Sequence, residues 1–432
     1  MTPSDLIDLP ALVKKDRVHR DVYIDPEIFK LEMERIFNRS WLFVGHNSQI
    51  PDSGDFITTR LANQSVVMVN HHNDIHVLFN RCPHRGAKVC EFERGNAHPF
   101  RCPYHGWAFD TDGRLLSSSL HTDFDKSTID ESDLKMRSLA RVINHRGFVF
   151  ACLTTEGPGF EEALGPILSA IDNLVDRSPS GEVELIPGIH RHVFPGNWKM
   201  QLENIQDAAH PRFIHTSSNE AGSKGRQEEF RMRAEDVMSG NNDAVDILDA
   251  SDAIAFPGGH SYMAAIPIRI KVSPEAEKEY LTVLEKRHGP DKTESILSDS
   301  RHFNVIYPQI MLQSAFQTMK VLRPVAVDRT EVSVYVFRLK GAPEEYDNAA
   351  MQFANATNSA ASVILQDDLA TFANIQEGLT TSASDWVLFA NGLETDTSDA
   401  QGVSSGQGFT ELPMRNQFVA WSKYMSASHA DD

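Results

Sequence analysis

Apolar and polar positions along the chain fall into three textures. From about Asp16 to Phe37 the spacing is helical: DVYIDPEIFKLEMERIF sets Phe29, Leu31, Met33, Ile36 and Phe37 on a broad apolar face, and Asp25-Pro26 reads as a cap followed by a first-turn proline. From Trp41 the pattern shifts to short runs, WLFV, FITTRL, SVVMVN and IHVLFN, rich in β-branched and aromatic residues and separated by Gly, Asp, Asn or Pro. Such runs predict a small antiparallel β domain that continues to GFVFACL near Leu153. The polar stretch TTEGPGFEE then marks a boundary.

Beyond it helical and extended patterns mix. Phe160–Val175 reads as a helix, EVELIPGIHRHVFP as extended, and Val193–Ile214 as extended and then helical after Asn197. Strands are expected in HSYMAAIPIRI, HFNVIYPQIMLQSAFQTMKVL and TEVSVYVFRL, a long helix over Tyr346–Gly378, and another over Asn416–Met425. Residues 216–255 are polar and read as a long excursion or lid, or as a solvated loop; the Ser/Gly/Asp-rich segment 395–409 reads as a surface loop. No internal repeat is visible. The expected class is α+β in three parts: a helical segment 1–37 packed on the third part, an antiparallel β domain 38–155, and a mixed domain 156–432 with an antiparallel sheet and helices.

Composition narrows the function classes. The 432 residues carry 41 Lys+Arg against 60 Asp+Glu, a formal charge of −19, which argues against nucleic acid or an anionic membrane as the main partner. No run approaches the roughly 20 apolar residues of a membrane helix, and the acidic opening MTPSDLIDLP lacks the basic start of a signal peptide. The four cysteines, Cys82, Cys90, Cys102 and Cys152, are too few for a disulfide-stapled secreted protein. A cytoplasmic location is expected.

Three of those cysteines fall within 21 residues, beside His84, His98 and His105. NRCPHRGAK offers Cys82 and His84, RCPYHGWAFD offers Cys102 and His105, and 17 residues separate the pairs. Each loop supplies one thiolate and one imidazole, with Pro83, Gly86, Pro103 and Gly106 suited to tight turns. A Rieske [2Fe-2S] cluster needs two Cys on one iron and two His on the other. Structural zinc is the alternative, although zinc sites more often pair Cys with Cys and His with His. Cys90 and His98 read as packing or surface residues.

A second group follows in ENIQDAAHPRFIH, where Glu203, Asp207, His210 and His215 lie within thirteen residues. On one helix, Glu203, Asp207 and His210 would share a face while His215 would point away; Pro211 distorts the turn between the histidines and permits both to reach one ion. In the later helix, Asp368 sits at the centre of an apolar stripe of Ala361, Ile364, Leu365, Phe372, Ile375 and Leu379, with Asp367 turned off it. A carboxylate on a buried stripe pairs in a salt bridge or coordinates a metal. Two histidines and one carboxylate also make the facial triad of non-haem Fe(II) oxygenases.

Both segments resemble the large (alpha) subunits of the Rieske non-haem iron ring-hydroxylating oxygenases: LFNRCPHRGAKVC…RCPYHGWAFDTDGRL matches the Rieske domain. ENIQDAAHPRFIH resembles the family's Glu-Asn-x2-Asp-x2-His-x4-His motif, and LQDDLATFANIQ the segment with its third ligand. ELPMRNQFVAWSKYM resembles the family's C-terminal ending. The resemblance implies a Rieske β domain beside a helix-grip catalytic domain, assembled head to tail as a homotrimer with or without a small second subunit. It implies that Cys82, His84, Cys102 and His105 hold the [2Fe-2S] cluster and that His210, His215 and Asp368 hold a mononuclear Fe(II). Asp207 would link the iron to a Rieske histidine of the neighbouring subunit, and Asn204 matches the family's near-iron asparagine.

The implied function is hydroxylation of an aromatic substrate, by cis-dihydroxylation or monohydroxylation, in aromatic catabolism; aromatic acids are the first candidates. Alternatives are a Rieske O- or N-demethylase, an electron-transfer subunit, and a zinc-binding structural protein. Histidine ligation raises a Rieske cluster to about −150 to +300 mV, so a low-potential donor can reduce it. No GxGxxG or P-loop fingerprint is present, so the electrons are expected from a separate ferredoxin or flavin reductase. Arg81, Arg85, Lys88, Arg94 and Arg101 form a basic collar against Glu91 and Glu93, which reads as a docking surface for an acidic ferredoxin or as a solvated loop surface.

Overall fold

A computed structural model describes residues 8–118, 130–216, 251–264, 270–299, 301–362 and 364–426. It divides into two compact units, one of residues 37–160 and one joining the residues before Phe37 to those from Glu161 onward.

The first unit is antiparallel β. β1 (Leu42–His46), β2 (Asp55–Leu61), β3 (Gln64–His71), β4 (Asp74–Phe79) and β5 (Arg94–Asn96) come first, followed by β6 (Phe100–Arg101), β7 (Ala108–Phe109), β8 (Leu115–Ser117), β9 (Arg141–His145) and β10 (Phe148–Cys152). They form sheets ordered β4-β3-β2-β5, β6-β7-β8 and β9-β10-β1. The β3–β4 hairpin turns through His72 and Asn73, both at positive φ, as a two-residue hairpin requires. Val67, Val69, Leu78, Phe100, Trp107 and Phe109 form its core together with Cys82, Cys90 and Cys102.

In the second unit, α1 (Pro26–Glu32) begins as its sequence indicates, with the Asp25 carboxylate accepting from the Glu27 and Ile28 amides. The sheet contains β11 (Val183–Leu185), β12 (His190–Phe194), β13 (Asp252–Ala255), β14 (Ser261–Ala264), β15 (His302–Ile306), β16 (Ile310–Gln313), β17 (Thr318–Ala326), β18 (Arg329–Leu339), β19 (Thr397–Ser398) and β20 (Ser404–Gln407). Its order is β11-β18-β17-β16-β15-β14-β13-β20-β19, with β12 also paired to β18. The helices named below are α2 (Trp198–Ile205), α3 (Pro211–Ile214), α4 (Pro274–His288), α5 (Pro290–Leu297), α6 (Glu344–Thr357), α7 (Leu365–Leu379) and α8 (Leu412–Ser426). α7 packs on β12 and α2, and α2 packs on β17. Beneath α2, Lys199 Nζ donates to Glu32 Oε1 (2.6 Å), and the indole N–H groups of Trp198 and Trp421 donate to the same carboxylate. This fully buried cluster ties α1, α2 and α8 together.

Several expectations change. The helix expected over Tyr346–Gly378 is two helices, because the chain leaves α6 at Asn358 and the Ser362 hydroxyl accepts the Leu365 amide at the start of α7. The helix expected over Phe160–Val175 is interrupted by a 3-10 turn at Gly165–Leu168. Segment 395–409 is not only loop: its β20 pairs with β13 from Asp252↔Gln407 to Ala255↔Ser404. Ser and Gly have low strand propensity, and the Gly406 site has no room for a Cβ beside Asp396 and Thr410, so the strand left no apolar signal. Helices α4 and α5 were missed although Ser273-Pro274 and Gly289-Pro290 punctuate them. Residues 217–250 of the expected excursion lie outside the described residues.

Candidate metal centres

The first centre is built from two loops of one plan. In each, the cysteine amide donates across the loop to the carbonyl five residues on, Cys82 to Ala87 and Cys102 to Trp107 (both 2.8 Å). The glycine four residues on, Gly86 or Gly106, donates back to the cysteine carbonyl at 2.9 and 3.0 Å. Both glycines have positive φ, +76° and +70°, a conformation that a side chain would strain. Asn80 closes the base of the first loop, its Oδ1 accepting from the Val89 and Cys90 amides and its Nδ2 donating to the Cys90 carbonyl.

The loops bring the two imidazoles together, with the His84 and His105 ring centroids 4.7 Å apart and His84 stacked on Trp107 at 4.9 Å and 4°. Burial raises the Cys82 thiol and neighbouring Cys102 raises it further, against the backbone amides of His84 and Arg85, which lower it. His84 Nδ1 is buried and makes no hydrogen bond, an orphan that a metal bond satisfies. A [2Fe-2S] cluster fits this donor set. A single zinc ion fits less well, because zinc sites more often pair Cys with Cys and His with His. Burial pushes the Cys90 thiol up to about 12, the environment of a packing residue, and His98 is exposed. The five cations of the basic collar are exposed.

The second centre joins the end of α2 to α7. α2 stops at Ile205, so Asp207 and His210 lie in the turn beyond it, and Pro211 opens α3. Glu203 therefore does not share a face with them. It points inward, where Tyr23 Oη (2.9 Å) and Gln417 Nε2 (3.3 Å) donate to it, and burial pushes it up to about 7. His210 Nε2 and His215 Nε2 lie 3.7 and 3.5 Å from Asp368 Oδ1. The two rings are 5.6 Å apart and inclined by 73°. Asn204 Nδ2 donates to Asp368 Oδ1 at 3.1 Å and lies 3.2 Å from His210 Nε2.

Each histidine has a carboxylate behind it. His210 Nδ1 faces Asp207 Oδ2 at 3.8 Å, while Asp207 Oδ1 accepts from the Ala209 and His210 amides. His215 Nδ1 lies 3.1 Å from Asp367 Oδ2. Burial pulls the His210 imidazole down, against Asp207 and Asp368, and the neutral imidazole is the form that binds metal. Two neutral nitrogens and one carboxylate oxygen converging from a turn and a helix fit a non-haem iron.

The profile of the Rieske [2Fe-2S] domain matches residues 40–123, and that of the ring hydroxylating alpha subunit (catalytic domain) matches residues 183–424. The chain belongs to the ring-hydroxylating oxygenase alpha subunits. Within this family it is 30% identical to the anthranilate 1,2-dioxygenase large subunit of Acinetobacter baylyi, over 94% of this chain and 89% of that one. It is 31% identical to the toluate 1,2-dioxygenase alpha subunit of Pseudomonas putida, over 87% and 82%. A solved naphthalene 1,2-dioxygenase with indole in its active site superposes with a TM-score of 0.82 at 25% identity, over 96% of this chain and 94% of that one. For a ring-hydroxylating oxygenase, a Rieske cluster and a mononuclear iron are the expected cofactors, and both donor sets are present. The residue that sequence reasoning missed is Asp367, which helical geometry turned off the apolar stripe; the only available signal was its place beside Asp368. No helix among the described residues is long and apolar enough to cross a membrane.

Proposed function

We propose that this chain is the terminal oxygenase component of an aromatic ring-hydroxylating system, using O2 and external electrons to hydroxylate an aromatic substrate. The observation that carries this reading is the convergence of His210, His215 and Asp368 in a chain whose other unit carries a Cys/His pair on each of two loops. In this reading Cys82, His84, Cys102 and His105 hold the cluster, and His210, His215 and Asp368 hold the iron. When bound, the cluster supplies electrons one at a time and the mononuclear iron supplies a site for O2. Asn204 holds the Asp368 carboxylate in place, and Asp367 orients the His215 imidazole.

Asp207 also reaches solvent, its side chain 40% exposed, which supports the reading that it hydrogen-bonds a cluster histidine of a neighbouring subunit in a homotrimer. The exposed basic collar supports an acidic ferredoxin, or a flavin reductase, as donor. A cytoplasmic location and aromatic acids as substrates, as the names of the two relatives suggest, complete the reading. The test is turnover of an aromatic panel with donor proteins added and products identified by mass. Product formed only with a donor supports the reading, whereas NADH-dependent turnover by the chain alone contradicts it.

A further inference from the structure

Four imidazoles gather on one side of the first unit, from residues that neither metal centre uses. His71 ends β3, His72 opens the turn to β4, His98 lies between β5 and β6, and Asp110 follows β7. The His71 and His72 ring centroids are 4.5 Å apart, and those of His72 and His98 are 5.8 Å apart. Asp110 closes the circuit, its Oδ1 lying 3.9 Å from His71 Nδ1 and 3.7 Å from His98 Nδ1. His76, diagonal to His71 across the hairpin, flanks the group with ring centroids 5.2 Å apart.

The arrangement parallels the iron centre, where two rings 5.6 Å apart lie 3.7 and 3.5 Å from one carboxylate oxygen. Neighbouring ligands around a tetrahedral ion with bonds near 2.0–2.1 Å are about 3.3–3.5 Å apart, so each His–Asp110 pair stands within about half an ångström of that spacing. Among the described residues, only His210, His215 and Asp368 already hold all their ligand atoms within 4.8 Å, so the present group is open. Closing it takes a turn of the outer rings. His72 is exposed and the His98 side chain is 51% exposed, which leaves both rings room to turn.

The inner members are held in place. Asp110 Oδ1 accepts the Thr111 amide and Oδ2 accepts from Arg114 (both 2.8 Å), which fixes the carboxylate with Oδ1 toward the rings. Thr111 Oγ1 lies 2.6 Å from His71 Nδ1 and fixes that ring. Metal ligands are oriented by such outer partners. His72 sits at φ +53°, a turn position that favours Asn, Asp or Gly, so the turn itself does not call for a histidine.

We infer that His71, His72, His98 and Asp110 form a capture site for a divalent cation that favours imidazole and carboxylate ligands, of which Zn2+ is the type. Binding ties the β3–β4 hairpin to the segment before β6 and the turn after β7. Trp107, stacked on His84, immediately precedes β7, so the ion braces the strand beside one cluster loop. The site shares no residue with either metal centre and stands whether or not the chain oxygenates aromatics.

The test is dialysis of the chain, loaded with cluster and iron, against about 10 µM free Zn2+, with zinc and iron counted per chain. The wild type is expected to take up one Zn2+ beyond any that replaces lost iron. H72A and H98A, at exposed positions, and D110N, which keeps the side-chain shape, are each expected to weaken this binding about 10- to 100-fold, with the visible spectrum of the cluster unchanged. Zinc taken up only in exchange for iron, or zinc affinity unchanged in H98A and D110N, overturns the inference. The wild-type count decides even if a variant fails to fold.

Discussion

The two candidate metal centres of this protein are built by different kinds of bond. At the cluster loops the backbone sets the geometry: each loop is closed by two main-chain hydrogen bonds and turned by a positive-φ glycine, and all four donors lie between residues 82 and 105. At the iron centre side chains set it. His210 and His215 flank a short helical turn, Asp368 comes from a distant helix, and Asp367 and Asn204 aim His215 and Asp368. A backbone-built site tolerates changes around it, whereas a site built from side chains depends on every residue that orients its ligands.

The sharpest break between the centres is D207A, which leaves both donor sets intact and removes the proposed link between them. Cluster and iron contents are expected to match the wild type while substrate-coupled turnover is lost; normal product formation after reduction removes the bridging role. K199M tests how far the iron side rests on buried side chains. It strands Glu32 beneath α2, and a loss of about 3–5 kcal/mol is expected in urea unfolding. D367A removes the carboxylate behind His215. Iron retention against a chelator is expected to weaken about 10- to 100-fold, with the visible spectrum of the cluster unchanged.

The smallest effect is a pH slope. His260 donates through Nε2 to the Ala163 carbonyl and accepts the Tyr307 amide at Nδ1, which fixes the neutral ring, and burial lowers it to about 4. Its contribution is complete above the unfolded value near 6.5 and is lost as pH falls toward 4, because the unfolded state then takes up the proton first. Stability is expected to drop by about 1 kcal/mol from this group between pH 6.5 and 5.5. A flatter slope in H260Q, measured by urea unfolding, checks it.

The same contrast explains what the sequence disclosed. The cluster loops are legible because Cys, His, Gly and Pro sit at fixed short spacings that one turn geometry demands. Asp368 was legible as a carboxylate on an apolar stripe. Glu203 was placed wrongly because periodicity extended α2 past Ile205, and helical reasoning cannot see where tertiary contacts end a helix. Asp367 was silent for a related reason: its partner His215 lies 152 positions away in sequence. Strand β20, between β13 and β19, was silent because Ser and Gly carry no apolar alternation.

The account stands on both centres serving one oxidation. The most direct measurement is a single turnover under 18O2 with dithionite-reduced chain and benzoate, comparing wild type with D368A. The wild type is predicted to give a hydroxylated product carrying 18O. D368A is predicted to keep the visible cluster spectrum and give none. Equal 18O incorporation in D368A, or product oxygen drawn only from water in the wild type, would contradict the central claim.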